Sequence, residues 1–194
     1  MHKLNKIYYF IDDFNSKEIN FLDARISIIY RNYKNKIDLK IIKKIKRICH
    51  KRKTKFYLAN NIKIAKTLKL DGVYIPAFNK LCNFKNINVG QNFKIIGSSH
   101  NIIELKNKEN QGCDEIFISP IFKNAKSNKF LNINRFNLIA QNSKKLIIAL
   151  GGINKLNLVK LKMTNCRGFS SISWIKKNRP KKLGRFRNFN ILTN

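Results

Sequence analysis

The chain has 194 residues, with 41 lysines and arginines against 10 aspartates and glutamates and a formal charge of +31. That length suits a single domain whose core needs neither disulfides nor metal, and the widely spaced Cys49, Cys82, Cys113 and Cys166 exclude a zinc ribbon or a disulfide framework. Asp12 and Asp13 break the N-terminal apolar run and no stretch approaches a bilayer span, so a cytoplasmic protein with neither signal peptide nor membrane partner is expected.

In chain order, the first strand is expected at Lys6–Ile11, followed by a helix over Ser16–Ala24. The second strand, Ile26–Arg31, leads into the densest basic run, KIIKKIKRICHKRKTK. There Ile41, Ile42, Ile45, Ile48 and Cys49 recur at helical spacing, with Lys43, Lys44, Lys46 and Arg47 opposite. This predicts an amphipathic helix over Asp38–Lys53 with a solvated basic face. Lysines are scattered through the chain beside abundant Asn and Ile, as an A+T-rich coding sequence would give. The field attracts anions without naming a substrate, and no recognised motif points to a specific nucleic-acid partner.

Strands then follow at Lys55–Leu58, Gly72–Ile75, Phe93–Ile96, Glu115–Ser119, Lys145–Leu150 and Gly168–Ile172. Helices are expected over Asn61–Leu68, Ile102–Gln111, Asn134–Asn142 and Lys155–Leu161, and the connection after Ile75 is only weakly helical. Strand–helix alternation implies parallel neighbours, because these need crossover connections. Eight such units in this length fit a single compact (β/α)8 TIM barrel over residues 1–178, with a basic tail over 179–194. A flavodoxin-like open sheet, the alternative, normally has fewer strands.

In such a barrel the residues just after each strand line the mouth that carries the chemistry. Here they are Asp12-Asp13, Arg31, Asn60-Asn61, Pro76-Ala77, Ser98-Ser99-His100, Pro120, Gly151-Gly152 and Ser173. They form no nucleophile–base pair and no metal-ligand cluster. Glycine backbone, amides, hydroxyls and one arginine suit oxyanions, and paired glycines at a strand-to-helix turn can form an anion nest.

These strand ends resemble the thiamine phosphate synthase/TenI family. Ala149-Leu150-Gly151-Gly152-Ile153 is similar to its Ala-Ile-Gly-Gly-Ile, GFSSIS (Gly168–Ser173) to its Gly-x-Ala-Val-x-Ser, and SPIF (Ser119–Phe122) to its Gly-Pro-Ile-Phe. Ser98, His100 and Glu104 match its Ser-x-His then Glu, and LANNIKIAKTLKLDGVYI (Leu58–Ile75) matches its third-to-fourth unit. The resemblance implies an enzyme that condenses an aminopyrimidine diphosphate with a thiazole phosphate, giving thiamine phosphate and pyrophosphate with the help of Mg²⁺. Carried onto this chain, Arg31 would pair with the diphosphate and Ser98 would lie near the pyrimidine. Lys129, or Lys123 or Lys126 in its place, would be the loop lysine. Asn60, matching the Asn of the family's Ile-Asn-Asp, and Asn61 would bind substrate, while Gly151, Gly152 and Ser173 would grip the thiazole phosphate.

The departures are as specific. Asn61 and Asn79 stand where the family has its two Mg²⁺-binding aspartates, and Ile29 and Tyr33 replace the Gln and Lys flanking Arg31. Neutral amides hold Mg²⁺ far more weakly than carboxylates, so the metal ligands of this chain are left open. Asp12 and Asp13 are candidates, though a turn with helix N-terminal charge is the simpler account of them. Two other roles compete with synthesis: binding of a thiamine-related phosphate in a regulatory capacity, and a TenI-type tautomerase. The tautomerase is disfavoured by Pro120 in place of its histidine. A homo-oligomer is left open.

Overall fold

The computed structural model describes residues 4–33, 36–81, 87, 90–124, 128–172 and 175. Cys82, Lys126, Ser173 and the basic tail lie outside them. Eight parallel strands close into a barrel in sequence order, the eighth pairing with the first through Lys6↔Gly168 and Tyr8↔Ser170. The strands are β1 (Lys6–Ile11), β2 (Ile26–Tyr30), β3 (Phe56–Ala59), β4 (Gly72–Ile75), β5 (Lys94–Ser99), β6 (Glu115–Ile118), β7 (Leu146–Leu150) and β8 (Gly168–Ser170). Helices α1 (Ser16–Phe21), α2 (Leu39–Lys51), α3 (Ile62–Thr67), α4 (Ile102–Asn110) and α5 (Asn132–Ala140) form the outer layer. Among the described residues no helix is long and apolar enough to cross a membrane.

Side chains alternate along each strand, so the barrel has two cores. Tyr8, Phe10, Ile29, Tyr57, Tyr74, Ile96, Phe117 and Ile148 fill the interior. Ile7, Tyr9, Ile11, Ile28, Leu58, Val73 and Ile116 face outward into a larger core with the helices. There Ile42, Ile45 and Cys49 present the buried face of α2, each isoleucine contributing about 1.5–3 kcal/mol by burial. Interior aromatics meet edge-on, with Phe117 5.0 Å from Tyr8 and 5.8 Å from Tyr74 between ring centroids. At the bottom, Glu115 accepts from the Tyr8 hydroxyl at 2.5 Å and pairs with Lys6, which satisfies a carboxylate that is otherwise buried.

Asparagine and aspartate set four of the helix starts. The side chains of Asn15, Asp38, Asn61 and Asn101 each accept an amide hydrogen from the first turn of α1, α2, α3 and α4, a cap worth about 1 kcal/mol. Two elements differ in kind from the sequence expectation. The helix expected over Lys155–Leu161 is a 3-10 segment at Leu158–Met163, because Asn154 accepts from the amide of Leu156 while Asn157 accepts from that of Asn154. Such Asx turns offer the backbone an alternative to the α-helix. The last strand stops at Ser170 rather than Ile172, since the carbonyl of Ser171 already accepts from the amide of Ile175 in a helical turn. Smaller shifts include α5, which begins and ends two residues earlier than its expected Asn134–Asn142. The free cysteines Cys49, Cys113 and Cys166 are buried, as reduced structural thiols should be.

Candidate functional site at the barrel mouth

Strand parity aims Arg31 and Ser98 into the upper end of the barrel, directly above the aromatic interior. The Arg31 guanidinium lies 5.0 Å from the centre of the Phe10 ring, and its Nε donates to the Asp12 carboxylate at 3.1 Å. The Tyr74 hydroxyl donates to Ser98 Oγ at 2.8 Å. Burial pushes the Tyr74 hydroxyl pKa up, while the Ser98 hydrogen bond and the charge of Arg31 pull the other way. The floor of the mouth is therefore a hydroxyl pair beside one oriented cation.

The turns after β3 and β4 build an amide wall. Asn60 occupies the left-handed region at φ 58°, and its Oδ1 accepts from Asn79 Nδ2 at 2.7 Å. Asn79 Oδ1 in turn accepts from the amide of Leu81 at 2.9 Å. Asn61 does not face a ligand with a free oxygen, since its Oδ1 caps α3 by accepting from the Ile64 amide at 2.9 Å. Next to this wall a cleft of about 180 Å³ is lined by Tyr30, Asn32, Tyr33, Lys36, Leu58 and Asn60, among others. The ring of Tyr33 meets that of Phe78 edge-on at 5.4 Å, spanning the loops after β2 and β4.

The opposite wall comes from β6, β7 and β8. Gly151 and Gly152 take φ values of +93° and +70°. A Cβ on Gly151 would lie 2.6 Å from Pro120 Cβ, and one on Gly152 would lie 2.3 Å from the Phe122 carbonyl oxygen. The glycines are thus required first by the loop after β6, whose Phe122 amide donates to the Gly151 carbonyl at 3.1 Å. The chain's own backbone makes the close approach, and an anion nest is not needed to account for these residues. Ser171 Oγ donates to the Ile153 carbonyl at 2.6 Å, clipping the β7 turn to the segment just after β8. Among the described residues the amides of Gly152 and Ile153 have no acceptor, which leaves donors of the kind an oxyanion takes.

Arg31, Ser98, Asn60, Asn61, Gly151 and Gly152 all fall at strand ends on this one face. Lys129 and Lys123 are exposed on the loop between β6 and α5. His100 fills a structural role: its Nδ1 lies 2.8 Å from the Ser119 carbonyl oxygen, and its amide donates to Glu104 at 2.7 Å. Sequence reasoning missed Tyr74, Phe78, Ser171 and the buried pair Lys108 and Gln111. The last two were detectable as polar residues three apart on the face that buries Leu105.

A closed (β/α)8 barrel with its polar residues gathered at the strand C-termini defines a barrel with a small-ligand mouth. Residues 20–175 match the model of the thiamine monophosphate synthase family, from the end of α1 to the segment after β8, and the chain belongs to that family. It is 32% identical over 190 residues to a thiamine-phosphate synthase of Pelagibacter ubique, with 89% of each chain covered. A thiamine-phosphate synthase of Prochlorococcus marinus is 31% identical over 160 residues, but the chain spans only 46% of that protein's length. The solved structure of a thiamine phosphate pyrophosphorylase from Pyrococcus furiosus superposes with a TM-score of 0.72 at 18% identity, covering 90% of this chain and 92% of that one. At that identity the likeness shows the shared fold.

Proposed function

We propose that this chain is a thiamine phosphate synthase, joining an aminopyrimidine methyl diphosphate to a thiazole phosphate with release of pyrophosphate. The observation that carries the reading is the family match over residues 20–175, on a barrel whose polar strand ends gather at one mouth. In this reading the bond from the methylene carbon to the diphosphate oxygen breaks, its electron pair leaving with pyrophosphate. The thiazole nitrogen lone pair then forms the new bond to that carbon. Such chemistry needs placement and charge stabilisation more than a nucleophile. Arg31 stabilises the departing anion, with lysines of the β6–α5 loop as further cations. Ser98, oriented by Tyr74 at 2.8 Å, hydrogen-bonds the pyrimidine. In this reading the amides of Gly152 and Ile153, together with Ser173, hold the thiazole phosphate.

The Mg²⁺ that the family implies fits the described residues poorly. Asn61 caps a helix, Asn79 is engaged at both ends of its amide, and Asp12 is paired with Arg31. Among the described residues no group of three or more His, Cys, Asp or Glu side chains could hold a metal ion. Charge compensation for the departing pyrophosphate therefore falls to Arg31 and the lysines.

The test is to supply purified protein with both substrates and measure pyrophosphate and thiamine phosphate together. Equal formation of the two supports the synthase. If neither appears while thiazole phosphate still binds in a calorimeter, the binding role replaces it.

A further inference from the structure

Lys108 lies on α4, outside the barrel wall, and is only 1% exposed. Its Nζ donates at 2.8 Å to each of three acceptors: the carbonyls of Pro76 and Asn79 and Oε1 of Gln111. Gln111, fully buried one turn on, donates through Nε2 to the carbonyls of Asn79 and Leu81 at 2.9 and 2.8 Å. Two side chains of one helix end thereby hold three carbonyls of the loop after β4. Strand β5 makes room for this arrangement, since a Cβ on Gly97 would lie 2.9 Å from Lys108 Cδ and 2.7 Å from Cys113 Sγ.

An ammonium in this position costs several kcal/mol unless its hydrogens are satisfied. The structure satisfies them with two carbonyls of one loop and the Gln111 side chain, and that loop reaches the mouth. Its Asn79 side chain donates to Asn60 at 2.7 Å, and its Phe78 ring meets Tyr33 at 5.4 Å. We propose that Lys108 is a positioning residue for the pyrimidine side of the mouth. Without touching substrate, it fixes the loop after β4 so that Asn79 and Phe78 meet Asn60 and Tyr33. The substrate assignment rests on the synthase reading; the positioning claim rests on the geometry alone.

The test uses the full chain carrying Lys108→Met, which keeps the side-chain volume and removes the donors. Two amides report on the loop: that of Asn79, bonded to the Pro76 carbonyl at 3.1 Å, and that of Leu81, bonded to Asn79 Oδ1 at 2.9 Å. Both should exchange hydrogen at least about 10-fold faster than in the wild type, while amides of β6 and β7 keep their rates. The KM for the pyrimidine diphosphate should rise about 10-fold, and that for thiazole phosphate should stay within about 2-fold. A folded variant with wild-type exchange at Asn79 and Leu81 overturns the proposal, as does an equal rise in both KM values. Should Lys108→Met not fold, Gln111→Met decides by the same loop amides. If neither folds, the pair serves the barrel as a whole and the positioning claim fails. If the wild type turns nothing over, the synthase reading fails separately, and the exchange rates still decide the role of Lys108.

Discussion

Replacing Gly152 with alanine adds one carbon at the point where the β7 turn meets the loop after β6. The residue sits at φ +70°, where an L side chain costs about 1–2 kcal/mol. The new Cβ would lie 2.3 Å from the Phe122 carbonyl oxygen and 2.5 Å from that of Lys123, roughly 1 Å inside the carbon–oxygen contact distance. Both obstacles are backbone, so the loop has to move, weakening the Phe122–Gly151 and Asn157–Gly152 hydrogen bonds at about 1 kcal/mol each. The sum is about 3–4 kcal/mol, which for a domain of this size lowers the melting temperature by roughly 6–16 °C. Gly90→Ala is the control, because a Cβ there meets nothing within 4 Å and should change stability by less than about 0.5 kcal/mol. A Gly152→Ala protein melting within about 2 °C of the wild type would refute the steric argument. Thiazole phosphate affinity, measured well below the melting point, should fall in the same variant. If stability drops while affinity holds, the phosphate is gripped elsewhere.

Stability should also decline at high pH. Burial pushes the thiols of Cys49 and Cys113 from their ordinary 9.0 to about 12, so the folded state holds protons that the unfolded chain releases. Their contribution is intact below pH 9 and is lost as pH rises toward 12, at up to about 1.4 kcal/mol per thiol per pH unit. The urea midpoint at pH 10.5 should lie below that at pH 8, with a shallower fall in Cys113→Ala; equal midpoints would contradict the assignment. For the metal, the double variant Asn61→Asp, Asn79→Asp should bind Mn²⁺, in the presence of pyrophosphate, at least about 10-fold more tightly than the wild type by electron paramagnetic resonance. Aspartate caps a helix as well as asparagine does, so α3 should survive the change. Equal affinities would mean that the asparagines do not set the metal preference.

The alternation of short apolar runs with helical periodicity was enough to indicate a barrel, because parallel neighbours need crossover connections and eight strand–helix units in this length suit a closed sheet. The helix starts were legible to within a residue: Asn15 and Asn101 cap helices expected from Ser16 and Ile102, while Asp38 and Asn61, expected as first helical residues, are the caps themselves. What misled was local competition. Asn154 and Asn157 satisfy backbone amides in turns where apolar spacing alone suggested an α-helix, and Ile172 continued a β-branched pattern past the point where Ser171 starts a helix.

The sequence by itself determined the family, the barrel and the strand ends that gather at its mouth, since these follow from periodicity and from residues beside the strands. It also raised the expectation that Asn61 and Asn79 stand where the family has two aspartates. Only the tertiary structure decided what those positions do instead, because Asn61 turns to its own helix and Asn79 to Asn60, 19 residues away. It likewise reassigned Gly151 and Gly152, whose need for a bare α-carbon comes from Pro120 and Phe122 on the neighbouring unit. Lys108, reaching 32 residues back to Pro76, reads in sequence as one more lysine among many. Steric exclusion and hydrogen bonding act between atoms brought together by the closed barrel, and spacing along the chain does not encode that proximity.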